Sequence, residues 1–232
     1  MIEVKDLTKE YKDHKGLAGI SFNVEKGEIF SLVGANGAGK STTIKILTNQ
    51  LRPTSGSAVI DGFEISGNYQ QIRPLVAYLP ENLMLYGYLT GIQNLEFFCG
   101  ISGLHYTHEE LGLYLEQAGL ESKHFNKRLD NYSKGMRQKV GIAFALAKRA
   151  KILFLDEPTS GLDPKSIAEF SLLLKNLKQA GMTILMTSHD LFRTMQDADK
   201  IGIMREGKLL EIVNPESLSF QLLEEKYMLY MN

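Results

Sequence analysis

Gly34-Ala35-Asn36-Gly37-Ala38-Gly39-Lys40-Ser41 follows the apolar run Ile29-Phe30-Ser31-Leu32-Val33 and precedes a stretch in which Ile44, Leu47 and Leu51 recur at helical spacing. Strand, glycine-rich loop and helix in that order form the setting that a phosphate loop of the pattern G-x-x-x-x-G-K-[ST] requires. Glycines let successive backbone N–H groups turn inward on a triphosphate, and the start of the helix adds positive potential. Lys40 is placed to reach the β and γ phosphates, and the Ser41 hydroxyl to ligate magnesium. Gly34, Asn36, Gly37, Ala38, Gly39, Lys40, Ser41 and Thr42 are therefore the candidate nucleotide ligands.

Outward from this unit, short apolar stretches alternate with turn formers over residues 1–27. Glu25-Lys26-Gly27 lies between Phe22-Asn23-Val24 and Glu28-Ile29-Phe30 like a hairpin connection. A second hairpin is expected at Ala58 to Ile65, with Asp61-Gly62 as its turn, and a last one around Glu206-Gly207. Between about Asn82 and Ala150 the spacing becomes helical, with Leu111, Tyr114, Leu115 and Ala118 on one stripe and Gly119 as a stop. Strand signals return at Ile152 to Leu155 and at Thr183 to Thr187. Between them runs a helix from Pro164, capped by Asp163, with Ile167, Phe170, Leu174 and Leu177 on one face. The expected fold is α/β, with a mostly parallel sheet in a phosphate-loop core, an N-terminal antiparallel β subdomain and an inserted helical subdomain. One domain of 1–232 is expected, the core from 1–81 and 151–232 and the helical part from 82–150.

The composition narrows the class. The chain has 232 residues, 44% of them hydrophobic and 23% charged, which suits a globular protein and neither a disordered nor a fibrous one. With 26 basic against 27 acidic residues, bulk attraction to nucleic acid is not expected. Cys99 is the only cysteine, so no internal disulfide forms and a reducing compartment fits; beside Phe97 and Phe98 it reads as a small buried residue. No run reaches the ~18 apolar residues of a spanning helix, and the N-terminus is charged where a signal peptide would be apolar. A cytoplasmic protein is expected. For the terminal Tyr227-Met228-Leu229-Tyr230-Met231, packing on the body and packing on a partner are equally compatible with the sequence.

Asp156 and Glu157 end the apolar run Ile152 to Leu155, so a buried strand delivers two carboxylates to one sheet edge. Asp156 is expected to face magnesium, and Glu157 to act as general base on the attacking water. Without the phosphate loop, such a pair would read equally well as a helix cap. Ser133 opens a helical stripe of Met136, Val140, Phe144 and Ala147, and taken alone that segment is a capped amphipathic helix.

Together these motifs resemble the ATP-binding cassette (ABC) ATPase family over essentially the whole chain. Tyr132-Ser133-Lys134-Gly135-Met136-Arg137-Gln138 stands where the family has its signature, upstream of Asp156-Glu157-Pro158-Thr159-Ser160-Gly161-Leu162-Asp163. His189 in Thr187-Ser188-His189-Asp190 matches the switch histidine, and Tyr11 the aromatic that stacks on adenine. The resemblance implies MgATP as ligand, bound between two cassettes, identical or not, arranged head to tail. Ser133 and Gly135 would then serve the nucleotide of the second copy, and Asp163 is counted with the nucleotide-binding residues. Glu81 stands where many members have a glutamine that contacts the metal, and a carboxylate remains a competent ligand. Lys134 and Met136 depart from the common signature in the way exporter-type members do. That subgroup pairs with a separately encoded membrane permease, which would hold this chain on the cytoplasmic face of the membrane. Leu83, Leu85, Tyr86 and Tyr88 are the expected docking residues. The alternative is a soluble ABC ATPase acting as an assembly or scaffold factor, as in iron–sulfur biogenesis.

Overall fold

A computed structural model describes residues 1–13 and 15–231. The elements run β1 (Ile2–Glu10), β2 (Lys15–Val24), β3 (Ile29–Val33), α1 (Lys40–Leu47), β4 (Ser55–Ile60), β5 (Phe63–Glu64), α2 (Tyr69–Ile72) and β6 (Val76–Leu79). Then follow α3 (Gly91–Ile101), α4 (His108–Gln117), α5 (Lys134–Ala147), β7 (Ile152–Leu155), α6 (Pro164–Gln179), β8 (Thr183–Ser188), α7 (Leu191–Asp197), β9 (Lys200–Arg205), β10 (Lys208–Val213) and α8 (Phe220–Met231). Strands form a four-stranded sheet in the order β2-β1-β4-β5 and a six-stranded sheet in the order β10-β9-β3-β8-β7-β6. The first is antiparallel; in the second all neighbours are parallel except β9 and β10.

Strand alternation divides the core in two. Leu153, Leu155, Ile184, Met186, Ile201 and Ile203 pack with the helical residues Leu95, Leu115, Val140, Phe170 and Leu174. Phe30, Leu32, Phe154 and Leu185 point the other way, onto Ile44, Ile46 and Leu47 of α1 and onto Ile2, Leu7 and Leu17 of the first sheet. The six-stranded sheet is thus covered on both faces, which is why its central strands β3, β8 and β7 are buried throughout and mostly apolar.

The hairpins at Asp61-Gly62 and Glu206-Gly207 form as expected, pairing Ile60 with Phe63 and Arg205 with Lys208. The hairpin expected at Glu25-Lys26-Gly27 does not. β2 pairs with β1 in one sheet, while β3 pairs with β8 and β9 in the other. All five residues of β3 are buried, a demand that only a central strand meets. The turn instead hands the chain between sheets, secured by Glu28, which accepts from the Glu25 N–H (2.6 Å) and pairs with Lys200 (2.8 Å).

Helix α1 is also shorter than its spacing suggested, ending at Leu47 and leaving Leu51 outside. Asn49 adopts φ 57°, and the Gln50 N–H reaches back to the Lys45 carbonyl (2.8 Å), closing the helix in a left-handed turn. The terminal segment lies in α8, whose Tyr227, Tyr230 and Met231 pack against the body. Among the described residues no helix is long and apolar enough to cross a membrane.

Candidate nucleotide-binding site

The loop between β3 and α1 is drawn tight against its surroundings. Gly39 caps α1 at φ 103°, and a Cβ there would meet the Gly16 carbonyl oxygen at 2.7 Å. A Cβ on Gly34 would collide with the Met204 carbonyl oxygen. The Gly207 N–H, in the turn between β9 and β10, donates to the Ala38 carbonyl at 3.0 Å, so the last hairpin buttresses the loop. Lys40 is buried, its Nζ donating to the carbonyls of Gly34 (2.5 Å) and Ala35 (3.3 Å) and standing 3.4 Å from Glu157 Oε1. A cavity of about 270 Å³ opens above, lined by residues 35–42, Tyr11, Gly16, Glu81 and Glu157. Tyr11 is 40% exposed, and Lys9 Nζ lies 5.5 Å from its ring centroid.

Parallel pairing of β7 with β8 brings two further groups to the same edge. Phe154 and Leu185 share the α1 face, so two residues further along each strand Asp156 and Thr187 share it too. Asp156 Oδ1 accepts from Ser41 Oγ (2.9 Å) and from Thr187 Oγ1 (2.6 Å). Glu157 has φ 47°, and its N–H donates to Thr187 Oγ1 (2.9 Å). Its Oε2 lies 2.7 Å from Nδ1 of the well-exposed His189, which leads into α7. The Glu157 carboxylate thereby bridges Lys40 and His189. Glu81 Oε1 accepts from Ser160 Oγ (3.2 Å) at the mouth. Burial, and after it the charge of Asp156, pushes the Tyr78 phenol up to about 12. Ser41, Asp156 and Glu81 together offer only hard oxygen donors, a set that suits Mg²⁺.

Ser133, Gly135 and Asp163 stand apart from this group. Ser133 Oγ caps α5 by accepting from the Met136 N–H (3.2 Å). Gly135 is buried beside Ser166, and both line a separate cavity of about 120 Å³ between α5 and α6. Asp163 caps α6, accepting from the N–H groups of Lys165 (3.1 Å) and Ser166 (3.0 Å). The Ser166 hydroxyl and N–H hold its carboxyl below the usual range. Two residues that sequence reasoning left out tie these parts together. Thr187 joins the Asp156 carboxylate to the Glu157 backbone N–H, and the buried Gln138 of α5 donates to the Pro158 carbonyl, fastening the signature helix to the exit of β7. Gln138 lies within the signature segment Tyr132 to Gln138; Thr187 carries no signal beyond a hydroxyl near the end of an apolar strand.

A family model described as ABC transporter matches residues 17–160, well over half the chain. The chain belongs to the ABC transporter family. The cassette is 38% identical over 223 residues to the probable multidrug ABC transporter ATP-binding protein YbhF of Escherichia coli (strain K12), an alignment covering 95% of this chain and 38% of YbhF. It is likewise 38% identical over 235 residues to the bacitracin transport ATP-binding protein BcrA of Bacillus licheniformis, covering 97% of this chain and 76% of that one. The chain thus spans well under half the length of YbhF and about three quarters of BcrA. Among solved structures, the dimeric post-hydrolysis state of the ATP-binding cassette MJ0796 bound to ADP and Pi superposes with a TM-score of 0.83 at 26% identity, covering 93% of this chain and 99% of that one.

The ABC cassette also carries an apolar surface between β6 and α3. Met84 is 85% and Tyr88 65% exposed, and Tyr86 stacks edge-on with Phe97 at 4.9 Å. Leu85, expected on this surface, turns inward to the core beneath α3, and Met84 takes its place outside.

Proposed function

We propose that this cassette is the ATP-binding and ATP-hydrolysing subunit of an ABC transporter of exporter type, working with a separately encoded membrane permease. The observation that carries the reading is the Glu157 carboxylate set between Lys40 and His189 at the mouth of a phosphate loop. Residues 34–42 bind the triphosphate through backbone N–H groups, and Lys40 exchanges its hold on Glu157 for the phosphate oxygens. Tyr11 lines the same cavity and stacks on the adenine.

Glu157, once released from Lys40, accepts a proton from the water whose oxygen bonds to the γ-phosphorus as the bond to the bridging oxygen breaks. His189, bonded to Glu157 through Nδ1, keeps the carboxylate aimed and offers its other nitrogen to the γ-phosphate. Ser41, Asp156 and Glu81 would hold Mg²⁺, which when bound neutralises phosphate charge. Ser133, Gly135 and Asp163 meet the nucleotide of a second cassette, identical or not, in a head-to-tail dimer. Their separation from the phosphate-loop cavity supports that reading. The apolar surface of Met84, Tyr86 and Tyr88 docks the permease, holding the cassette against the cytoplasmic face of the membrane.

Affinity capture of the tagged chain from detergent-solubilised membranes tests the assignment. Recovery of an integral membrane protein that dissociates from a chain with Tyr88→Asp is expected. Recovery of soluble partners alone would overturn the permease reading in favour of an assembly factor.

A further inference from the structure

We propose that Thr187 is a positioning residue for hydrolysis, one hydroxyl that sets the orientation of both carboxylates at once. The inference rests on the reading of Glu157 as general base and Asp156 as the metal-facing carboxylate. Thr187 is fully buried, on the sheet face shared by Leu185 of its own strand and Phe154 of the neighbouring β7. Shape alone would be met there by valine, so the hydroxyl needs its own account, because a buried O–H is retained at a cost unless it is fully bonded.

Here it is bonded on both sides. Thr187 Oγ1 donates to Asp156 Oδ1 at 2.6 Å and accepts the Glu157 N–H at 2.9 Å. Through the first bond it fixes the carboxylate that Ser41 also holds at 2.9 Å. Through the second it secures a non-glycine residue in the left-handed region, φ 47°, the conformation that turns the Glu157 side chain back toward Lys40 and His189. The β-branched side chain is stiff about χ1, so the hydroxyl direction is set by β8 itself, two residues before His189. Three groups assigned to the chemistry, Asp156, Glu157 and His189, thus take their placement from one strand end.

The test compares Thr187→Val, which keeps the shape, with Thr187→Ser, which keeps the hydroxyl, and with Glu157→Gln as control, all in the full chain. We expect Thr187→Val to lower kcat by about tenfold or more and Thr187→Ser to stay within about threefold, the KM for ATP moving little in either. Independently of turnover, fluorescent-nucleotide titrations are expected to show unchanged affinity in EDTA for Thr187→Val, with a higher Mg²⁺ concentration needed for the metal-dependent part of binding. Thr187→Ala supplies the same readouts if the valine variant fails to fold. A normal kcat and normal Mg²⁺ dependence in Thr187→Val, with Glu157→Gln inactive, would overturn the inference while leaving Glu157 as base. Equal losses in Thr187→Ser and Thr187→Val would overturn it too, since the hydroxyl would then not be the cause. Full turnover in Glu157→Gln would overturn the reading of Glu157 and the inference with it.

Discussion

Replacing Glu157 by glutamine separates binding from chemistry in opposite directions. The glutamine keeps the size of the side chain but loses its charge and its basicity. At 3.4 Å, with an effective dielectric of about 20, the attraction between Lys40 and Glu157 is about 5 kcal/mol before solvent screening. An arriving triphosphate has to draw Lys40 away from that partner, and it also stands beside the anionic carboxylate. Lys40 keeps its bonds to the Gly34 and Ala35 carbonyls in the variant, so the loop retains its anchors. If a quarter of the pair energy is recovered after screening, ATP affinity rises by roughly tenfold. The same change removes the proton acceptor, which lowers turnover by a factor on the order of 10² or more. Phosphate release and fluorescent-nucleotide titration on one preparation measure both quantities, and chromatographic sizing with ATP should reveal a trapped dimer. A loss of affinity in step with turnover would refute the reasoning, because Glu157 would then be holding the loop together. Unchanged turnover would place the base elsewhere.

Other perturbations report on the scaffold. Asp163→Ala removes the α6 cap, and a lower melting temperature, by about 2–4 °C, is expected by circular dichroism. Because the Asp163 carboxyl is held below its usual range when folded, its contribution is complete above the unfolded value and fades as pH falls below about 4; the variant should lose that part of the acid sensitivity. Lys148 donates to the Val76 carbonyl (2.7 Å), and burial, with Arg73 nearby, lowers its ammonium to about 8. The unfolded chain then binds more protons between about pH 8 and 10.5, so this residue makes stability rise with pH there, and Lys148→Met should remove that component from urea titrations. Burial raises the Cys99 thiol to about 11, so iodoacetamide at pH 8 should label the native protein far more slowly than the denatured one.

What could be read from the residues was what depends on near neighbours. The phosphate loop declared itself through fixed spacing between a strand and a helix, and Asp163 as a cap through the proline that follows it. Two expectations about elements differ from the structure, the first through distant partners and the second through a local backbone conformation. Glu25-Lys26-Gly27 has turn chemistry, but turn chemistry does not say whether the next strand returns to the same sheet, and the burial of Ile29 to Val33 sent it to the other. The end of α1 depended on a left-handed Asn49, which is less marked in sequence than glycine would be. Within the site, Thr187 escapes notice because its meaning lies across the β7–β8 pairing, 30 positions along the chain from Glu157. The inward turn of Leu85 is hidden for a related reason: a continuous run of apolar residues such as Leu83 to Tyr86 does not reveal which of them the core will claim.

The separation of the phosphate-loop cavity from the cavity beside Ser133 has a kinetic corollary. Residues 35–42 open one, and Ser133 and Gly135 open another, so under the proposed dimer no single chain completes a hydrolysing centre. Free chains would then show a rate per molecule that climbs with protein concentration, with an order above one. Tethering two of them on one permease replaces that collision by an intramolecular encounter at an effective concentration of about millimolar for short linkages. Idle consumption of ATP by dispersed chains would thereby be suppressed by dilution, without any inhibitor.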